Sequence, residues 1–132
     1  MATRHHARMA VVSLLYAYDL GNGNTSEHAN EILEEKKIRN KQKDFALTLY
    51  DGVMENLEVC DKAIIDNLKE WDFGRLGAIE RATLRLATYE ILFGELDSAV
   101  VINEAVEITK AFGTEQSPKF INGVLDAIAR AK

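Results

Sequence analysis

The sequence predicts an all-α protein, folded as a compact single-domain helical bundle of about seven helices. Apolar residues recur at the three- and four-residue spacing of amphipathic helices through most of the 132 residues. The chain contains one proline, so few positions break a helix, and no segment shows the alternation of a strand. A hydrophobic content of 47% can supply a core, so one domain is expected over residues 1–132.

Four helices are predicted in the first half of the chain. The first covers about residues 3–19 and ends at the glycine- and asparagine-rich stretch 21–24. That stretch is interpreted as a linker, because a phosphate-binding loop would need a preceding strand and a following Lys-Ser or Lys-Thr pair. A short helix near 26–35, a longer one over about 41–56 and a fourth over 59–68 follow.

Residues 79–93 predict a largely buried helix, because apolar residues surround most of its circumference. The sixth helix is defined by an apolar stripe that comprises Val101, Ala105, Ile108 and Phe112. Asp97 is expected to cap its N-terminus, and Gly113 is expected to end it as a left-handed cap.

The seventh helix is expected to begin at Ser117 and Pro118. A serine side chain can accept a hydrogen bond from a free amide of the first turn, and proline fits the first helical position because its missing N–H has no partner there. Phe120, Val124 and Ile128 form the apolar stripe of this helix. The chain therefore ends in two helices joined by a short turn.

Composition excludes several classes of protein. The single cysteine, Cys60, rules out an intramolecular disulfide and a cysteine-rich zinc site. No apolar run approaches the roughly 20 residues that span a bilayer, and the N-terminus lacks the apolar core of a signal peptide. These features predict a cytoplasmic protein that has no membrane segment. No nucleophile–base arrangement or metal-ligand pattern stands out, so we expect neither a catalytic residue nor a metal or cofactor.

The charged residues are unevenly distributed. The net charge is −5, which would normally oppose nucleic-acid binding, but residues 1–43 hold seven Lys or Arg against five Asp or Glu. One basic cluster lies at residues 4–8, and a second lies at residues 36–43, where five cations occur without an acid. Cations clustered on one surface are what phosphate binding requires. The alternative interpretation is that both clusters are solvated helix ends and loops.

Several motifs along nearly the whole chain resemble those of the NusB family of bacterial transcription antitermination factors. The matching segments are Arg4-His5-His6-Ala7-Arg8 running into Leu15-Tyr16, Glu80-Arg81-Ala82-Thr83-Leu84, Asn103-Glu104-Ala105, and Phe120-Ile121-Asn122-Gly123-Val124-Leu125. The resemblance implies a NusB-like fold in which two halves of a three-helix type pack together. Two departures stand out. His5 and His6 occupy positions that are usually Arg or Lys, and a histidine is mostly neutral at pH 7. Asp97-Ser98 stand where a proline often precedes the Asn-Glu-Ala helix.

The resemblance also implies a function without catalytic chemistry. A protein of this family is expected to bind the single-stranded boxA element of ribosomal RNA operon transcripts together with a small-subunit ribosomal protein, NusE, in the antitermination complex of RNA polymerase. Cations would hold the phosphates, and an aromatic ring would stack on the unpaired bases. The expected RNA-binding residues are Arg4, His5, His6, Arg8, Lys36, Lys37, Arg39, Gln116, Lys119 and Phe120.

The resemblance assigns Tyr16 and Glu80 to the surface that meets the ribosomal protein. Two simpler interpretations remain open: Glu80 could form only a weak pair with a neighbouring cation, and Phe120 could belong to the core. Two other classes of function also remain. One is a helical protein–protein scaffold that binds no RNA. The other is an enzyme, although the helically spaced acids Asp51, Glu55, Glu58 and Asp61 lack the Glu-x-x-His ligands of a di-iron bundle.

Overall fold

The computed structural model describes residues 3–21, 25–69 and 72–132. These residues form seven α-helices and one short 3-10 helix, so the predicted all-α fold is confirmed. The helices are α1 (Arg4–Asp19), α2 (Thr25–Glu35), α3 (Asn40–Glu55), α4 (Leu57–Asp66), α5 (Ala78–Phe93), α6 (Ser98–Phe112) and α7 (Ser117–Ala131); the 3-10 helix is Phe73–Arg75. Of the predicted linker 21–24, residues 22–24 lie outside the described residues.

The buried side chains form two apolar cores, which matches the two predicted halves. The first core is built mainly by α1, α2 and α3, and the second by α4, α5, α6 and α7. Helix α5 contributes to both, with Leu86 in the first core and Leu84 and Ile91 in the second. This sharing explains why its apolar residues surround most of the helix. None of the described helices has both the length and the apolar character needed to cross a membrane.

Buried ion pairs connect α1 to α5. The guanidinium of Arg8 pairs with the carboxylate of Glu90, with Nε–Oε2 and Nη2–Oε1 distances of 2.9 Å. At the other end of α1, Asp19 accepts hydrogen bonds from Arg81 and Arg85. Because the start of α1 meets the end of α5 and the end of α1 meets the start of α5, the two helices run antiparallel.

Gly113 ends α6, but the predicted left-handed cap is wrong. Its backbone is extended, with φ −97° and ψ −165°, and its N–H donates to the Thr109 carbonyl at 2.8 Å. A Cβ atom on this residue would lie 2.7 Å from Ser117 Oγ and 2.9 Å from the Thr109 carbonyl oxygen. Glycine is therefore needed for space, because the turn folds back closely onto the end of α6.

Two predicted helix caps are also wrong. Asp97 occupies the N-cap position of α6, but its side chain caps none of the described amides. Ser117 is the first residue of α7 and does not cap that helix. Its hydroxyl instead accepts from the Thr114 N–H at 3.0 Å and donates to Glu80 Oε2 at 2.7 Å. The serine thus ties the α6–α7 turn to α5, a contact that spacing along the chain does not reveal.

Alanine substitutions at two glycines test this account of the turn. Gly113→Ala should destabilise the protein by about 1–3 kcal/mol, because the new methyl overlaps Ser117 and the Thr109 carbonyl. Gly123→Ala is the matched control: it sits inside α7, and a methyl group there would point into open space, with no neighbouring side chain within 4 Å. There alanine should stabilise by about 0.5–1 kcal/mol. Urea unfolding of both variants measures the difference, and equal effects would contradict the account.

Candidate nucleic-acid interface

The basic residues at positions 4–8 are the first turns of α1, and the helix points them in different directions. Thr3 caps the helix: its Oγ1 accepts from the His6 N–H, and the His6 ring nitrogen Nδ1 accepts from the Thr3 N–H, both at 3.2 Å. The first turn contains no acid. Its cations therefore stand at the positive end of the helix dipole, where a bound phosphate would be favoured by both charge and dipole.

Arg8 was expected to contact phosphate, but its side chain is buried and already paired. Its side chain is only 6% exposed and forms the ion pair with Glu90. Its guanidinium also lies 5.1 Å from the centre of the Phe45 ring. Arg4 shares that ring at 4.6 Å, but it is exposed and can reach a phosphate. The two arginines that look equivalent in sequence therefore differ in role, because the second lies one turn deeper in the protein.

The two histidines present different hydrogen-bonding groups to solvent. His5 Nδ1 lies 2.5 Å from Glu104 Oε2, and a carboxylate acceptor requires a hydrogen on that nitrogen. His5 can therefore donate a second hydrogen bond, from Nε2, only when its ring is protonated. His6 accepts through Nδ1, so its neutral ring carries the hydrogen on Nε2 and can donate to a phosphate without taking up a proton. This geometry gives His6 the simpler route to an anion.

A groove of about 380 Å³ brings His6 together with the second basic cluster. We call it the basic groove; its lining residues are His6, Met9, Ala10, Ser13, Lys36, Lys37, Ile38 and Phe112. The groove joins the start of α1, the α2–α3 turn and the end of α6. Its floor is apolar and its rim carries two lysines and a histidine, the combination that suits a base with its phosphate.

Phe112 was not expected at this site. The periodicity of α6 places it on the buried stripe, but its side chain is 41% exposed and lines the basic groove. Its partners on the stripe, Val101, Ala105 and Ile108, are buried as predicted. Phe112 lies on the last turn of α6 and belongs to neither core, so it keeps the direction of the stripe but is only partly covered. The only sequence signal was its position beside Gly113.

The turn between α2 and α3 holds Lys37 in an unusual conformation. Its φ is +62°, in the left-handed region that favours glycine. The Ile38 N–H donates to the Leu33 carbonyl at 2.9 Å, and the Lys37 N–H donates to the Glu34 carbonyl at 3.0 Å. This pattern is a Schellman motif, which usually has glycine where Lys37 stands. A lysine in the left-handed conformation is less stable than a glycine would be. Its presence in the groove therefore favours a binding role for its charge.

Glu34 pairs with two of the five cations of residues 36–43. Its carboxylate lies 2.6 Å from Lys43 Nζ and 3.3 Å from Arg39 Nε. The hydrogen bond from Lys43, with a contribution from Arg39, lowers the pKa of Glu34 below its usual value. Lys36 and Lys37 are exposed and form no ion pair with any described residue. Arg39 is thus partly neutralised within the chain, whereas the two lysines keep their full charge.

The remaining expected RNA-binding residues lie at the start of α7, on the other side of the α6–α7 turn. A pocket of about 160 Å³, here called the turn pocket, is lined by Arg75, Leu76, Gly77, Glu80, Thr114, Gln116, Ser117 and Phe120. Gln116 and Lys119 are exposed, and Phe120 is half-buried against the second core. Phe120 thus belongs to both the core and the pocket.

Glu80 lies in the same pocket, where it is neither free nor paired with Arg81. Its carboxylate accepts the hydroxyl of Ser117 and sits in the first turn of α5, folded back over Gly77. A negative charge is favourable at that position of a helix. Arg81 pairs instead with Asp19. Tyr16, the other residue expected at the ribosomal-protein surface, is half-buried against the first core and lines neither pocket.

The helically spaced acids of α3 and α4 do not come together as an active site in the described part of the chain. Asp51, Glu55 and Glu58 are exposed, and Asp61 is bound by Arg85 at 2.8 Å. Burial raises the pKa of the Cys60 thiol to about 12, so it stays protonated at neutral pH and is a poor nucleophile. Within the described ranges, no three His, Cys, Asp or Glu residues are grouped as metal ligands.

Comparison with known proteins gives consistent matches over the whole chain. The model of the NusB family matches residues 5–130. A protein of Sulfurimonas denitrificans named "Transcription antitermination protein NusB" is 84% identical over 132 residues, which is all of both chains. A protein of the same name from Nitratiruptor sp. is 62% identical over 98% of this chain and 94% of its own length.

Solved structures match in fold as well as in sequence. The chain is similar to T. maritima NusB, with a TM-score of 0.89, 39% identity and coverage of 98% of this chain and 92% of that one. It is also similar to a chain in a crystal structure of the antitermination factors NusB and NusE in complex with dsRNA. That match has a TM-score of 0.89 and 35% identity, over 98% of this chain and 97% of that one.

The different environments of Arg8 and Arg4 lead to a stability prediction. Arg8→Ala should destabilise the protein by about 3–5 kcal/mol, because it leaves the buried carboxylate of Glu90 without its partner. Arg4→Ala removes a similar contact with Phe45 from an exposed side chain and should change stability by less than about 1 kcal/mol. Urea unfolding at neutral pH compares the two variants, and a small effect at Arg8 would show that Glu90 finds another partner.

Proposed function

The chain belongs to the NusB family, and from that premise we propose that it is an RNA-binding adaptor in transcription antitermination. In this proposal it binds the boxA element of ribosomal RNA operon transcripts together with the small-subunit ribosomal protein NusE, within the antitermination complex of RNA polymerase in the bacterial cytoplasm. The observation that carries the proposal is the basic groove, which is lined by His6, Lys36 and Lys37 together with the exposed ring of Phe112.

The exposed aromatic ring in the basic groove favours single-stranded RNA over a duplex as the ligand. An exposed aromatic ring contributes binding energy only when a base can leave its neighbours and stack on it, and bases in a duplex are already stacked. Three cationic or hydrogen-bonding side chains within the same groove provide phosphate contacts. The related NusB–NusE complex contains dsRNA. The two kinds of RNA therefore need to be compared directly, and a duplex that binds as well as the single strand would contradict the stacking role of Phe112.

Two further surfaces fit the proposal. Arg4 lies at the start of α1, where a phosphate is favoured by the helix dipole, and His5 adds a donor when protonated. Gln116, Lys119 and Phe120 follow Phe112 across the α6–α7 turn and line pockets at the start of α7, so they are the candidates for contacts of the RNA outside the basic groove. Arg8 is excluded from the contact set by burial, and Arg39 contributes less than the two lysines because Glu34 holds it.

The lysines and Phe112 provide the main test. A Lys36→Ala/Lys37→Gly variant should lower the slope of log K against log salt by about 1.4, because each lost contact with a single strand removes about 0.7. Phe112→Leu should weaken binding by about 1–3 kcal/mol and leave the slope unchanged, since it removes stacking and no charge. Filter binding with a single-stranded boxA-like oligonucleotide and its duplex, with and without NusE, measures both effects.

Matched controls separate these effects from unfolding. Lys37→Gly places glycine at a left-handed position, so it should keep stability or raise it by up to about 1 kcal/mol. Phe93→Leu changes another exposed phenylalanine, and Lys62→Ala another exposed lysine, outside the groove. Neither should alter RNA binding. No binding by the unmodified chain, even with NusE present, would leave the protein–protein scaffold as the function.

Glu80 provides a test of the partner surface. Glu80→Gln removes the charge but keeps an oxygen that can accept the Ser117 hydroxyl. If the carboxylate meets a cation of NusE, this variant should weaken the complex by about 1.5–3 kcal/mol, the contribution of a hydrogen bond to a charged group. Ser117→Ala is the control, because it breaks the bond within the chain and keeps the charge. Calorimetric titration with NusE compares them, and full affinity in Glu80→Gln would place the contact elsewhere.

A further inference from the structure

Three exposed apolar residues flank the turn between α5 and α6. Phe93, Leu96 and Val100 lie within eight residues of one another and are 49%, 40% and 46% exposed. The Phe93 ring stacks on Tyr89, with 5.5 Å between ring centres, and Tyr89 is itself half-buried against the first core. The ring is therefore held in place at the surface. We call Phe93, Leu96 and Val100, with the acids between them, the α5–α6 patch.

The charge around this patch has one sign. Residues 86–109 contain five Asp or Glu and no Lys, Arg or His. Three of the acids are already paired, since Glu90 binds Arg8, Glu104 binds His5 and Glu107 binds Lys110. Glu95 and Asp97, which alternate with Leu96 in the turn, are exposed and form no ion pair with any described residue. The patch therefore combines apolar side chains with two unneutralised carboxylates.

The patch adjoins the start of α1, where His5 binds Glu104 one helical turn from Val100, but it lies apart from Phe112 in the basic groove and from Glu80 in the turn pocket. Val100 and Phe112 lie at opposite ends of α6, twelve residues apart, which is about 18 Å along the helix axis. Phe93 and Glu80 lie at opposite ends of α5, thirteen residues apart, which is about 20 Å. A molecule held at the basic groove or at the turn pocket would not need to cover the patch.

We propose that the α5–α6 patch is a docking surface for a protein segment that presents large apolar side chains beside Lys or Arg. Burial of the apolar side chains would supply affinity, and the cations would meet Glu95 and Asp97. RNA is disfavoured because the only unpaired charges in this segment are negative. A second copy of the chain, docked patch to patch, is disfavoured because a symmetric contact would bring the same carboxylates face to face.

A titration of the full chain tests the proposal. The probe is a synthetic peptide of leucine and lysine in helical amphipathic order, and the control peptide replaces every lysine with glutamate. The lysine peptide should shift the backbone NMR signals of residues 93–100 more than signals elsewhere, and the glutamate peptide should not. Shifts centred on another surface, no shifts in this segment, or equal binding of both peptides would overturn the proposal.

Three double variants separate the apolar and the charged contributions. Leu96→Ser/Val100→Ser should weaken peptide binding at least tenfold at every salt concentration. Glu95→Gln/Asp97→Asn should weaken it at low salt only, and thereby flatten its salt dependence. Val59→Ser/Ile65→Ser is the matched control, because those residues of α4 are 51% and 50% exposed, and it should have no effect. Equal loss in the control would identify general hydrophobic adhesion instead.

The alternative occupants give different results in the same variants. If the patch binds a second copy, sedimentation of the unmodified chain will show a dimer that Leu96→Ser/Val100→Ser abolishes, and the proposal is then overturned. If the patch binds RNA, the same variant will lose affinity for the boxA-like oligonucleotide, which also overturns it. The proposal is supported if the chain is monomeric and if Leu96→Ser/Val100→Ser loses peptide binding but keeps its RNA affinity. This result would support a separate protein-docking surface whether or not the proposed RNA function holds.

Discussion

Helix α5 lies in the middle of the protein with charged side chains that must be paired, and this constraint fixes the rest of the structure. Arg85 and Glu90 are buried, and a buried charge without a partner is far more costly than a lost surface contact. Arg8 satisfies Glu90, while Asp19 and Asp61 satisfy Arg85. The pairs hold α1 antiparallel to α5 at both ends and attach α4 on the other side. The two cores are therefore joined by electrostatics as well as by the helix that they share.

The candidate interface is a consequence of that arrangement. Once Arg8 is held by Glu90, the first turn of α1 is positioned so that His6 meets the α2–α3 turn and the end of α6. The basic groove is thus assembled from three distant segments, and its two lysines are not neutralised by any acid of the described residues. This explains how a protein of net charge −5 can offer a surface for phosphate: most of its acids lie after residue 43, and Glu34 neutralises only part of the second basic cluster.

The sequence predicted the helices well because their signals are local. Apolar spacing and the glycines located all seven helices, and the ranges predicted for α1 to α5 end within about two residues of the observed ones. The errors occur where a distant residue decides the local chemistry. Ser117 bonds to Glu80 and not to its own helix, Gly113 is glycine because Ser117 fills the space of its side chain, and Phe112 is exposed because the cores end before it.

By itself, the sequence determined the fold class, the order of the helices, the family and the two basic clusters, since each of these depends on residue type and spacing along the chain. Only the tertiary structure decided which charges remain available. Arg4 and Arg8 are four residues apart on one helix and chemically identical, yet one is exposed and the other is buried against Glu90. The physical reason is that burial and ion pairing depend on the approach of other helices, here α5 and α6, and periodicity carries no information about which charge they will meet.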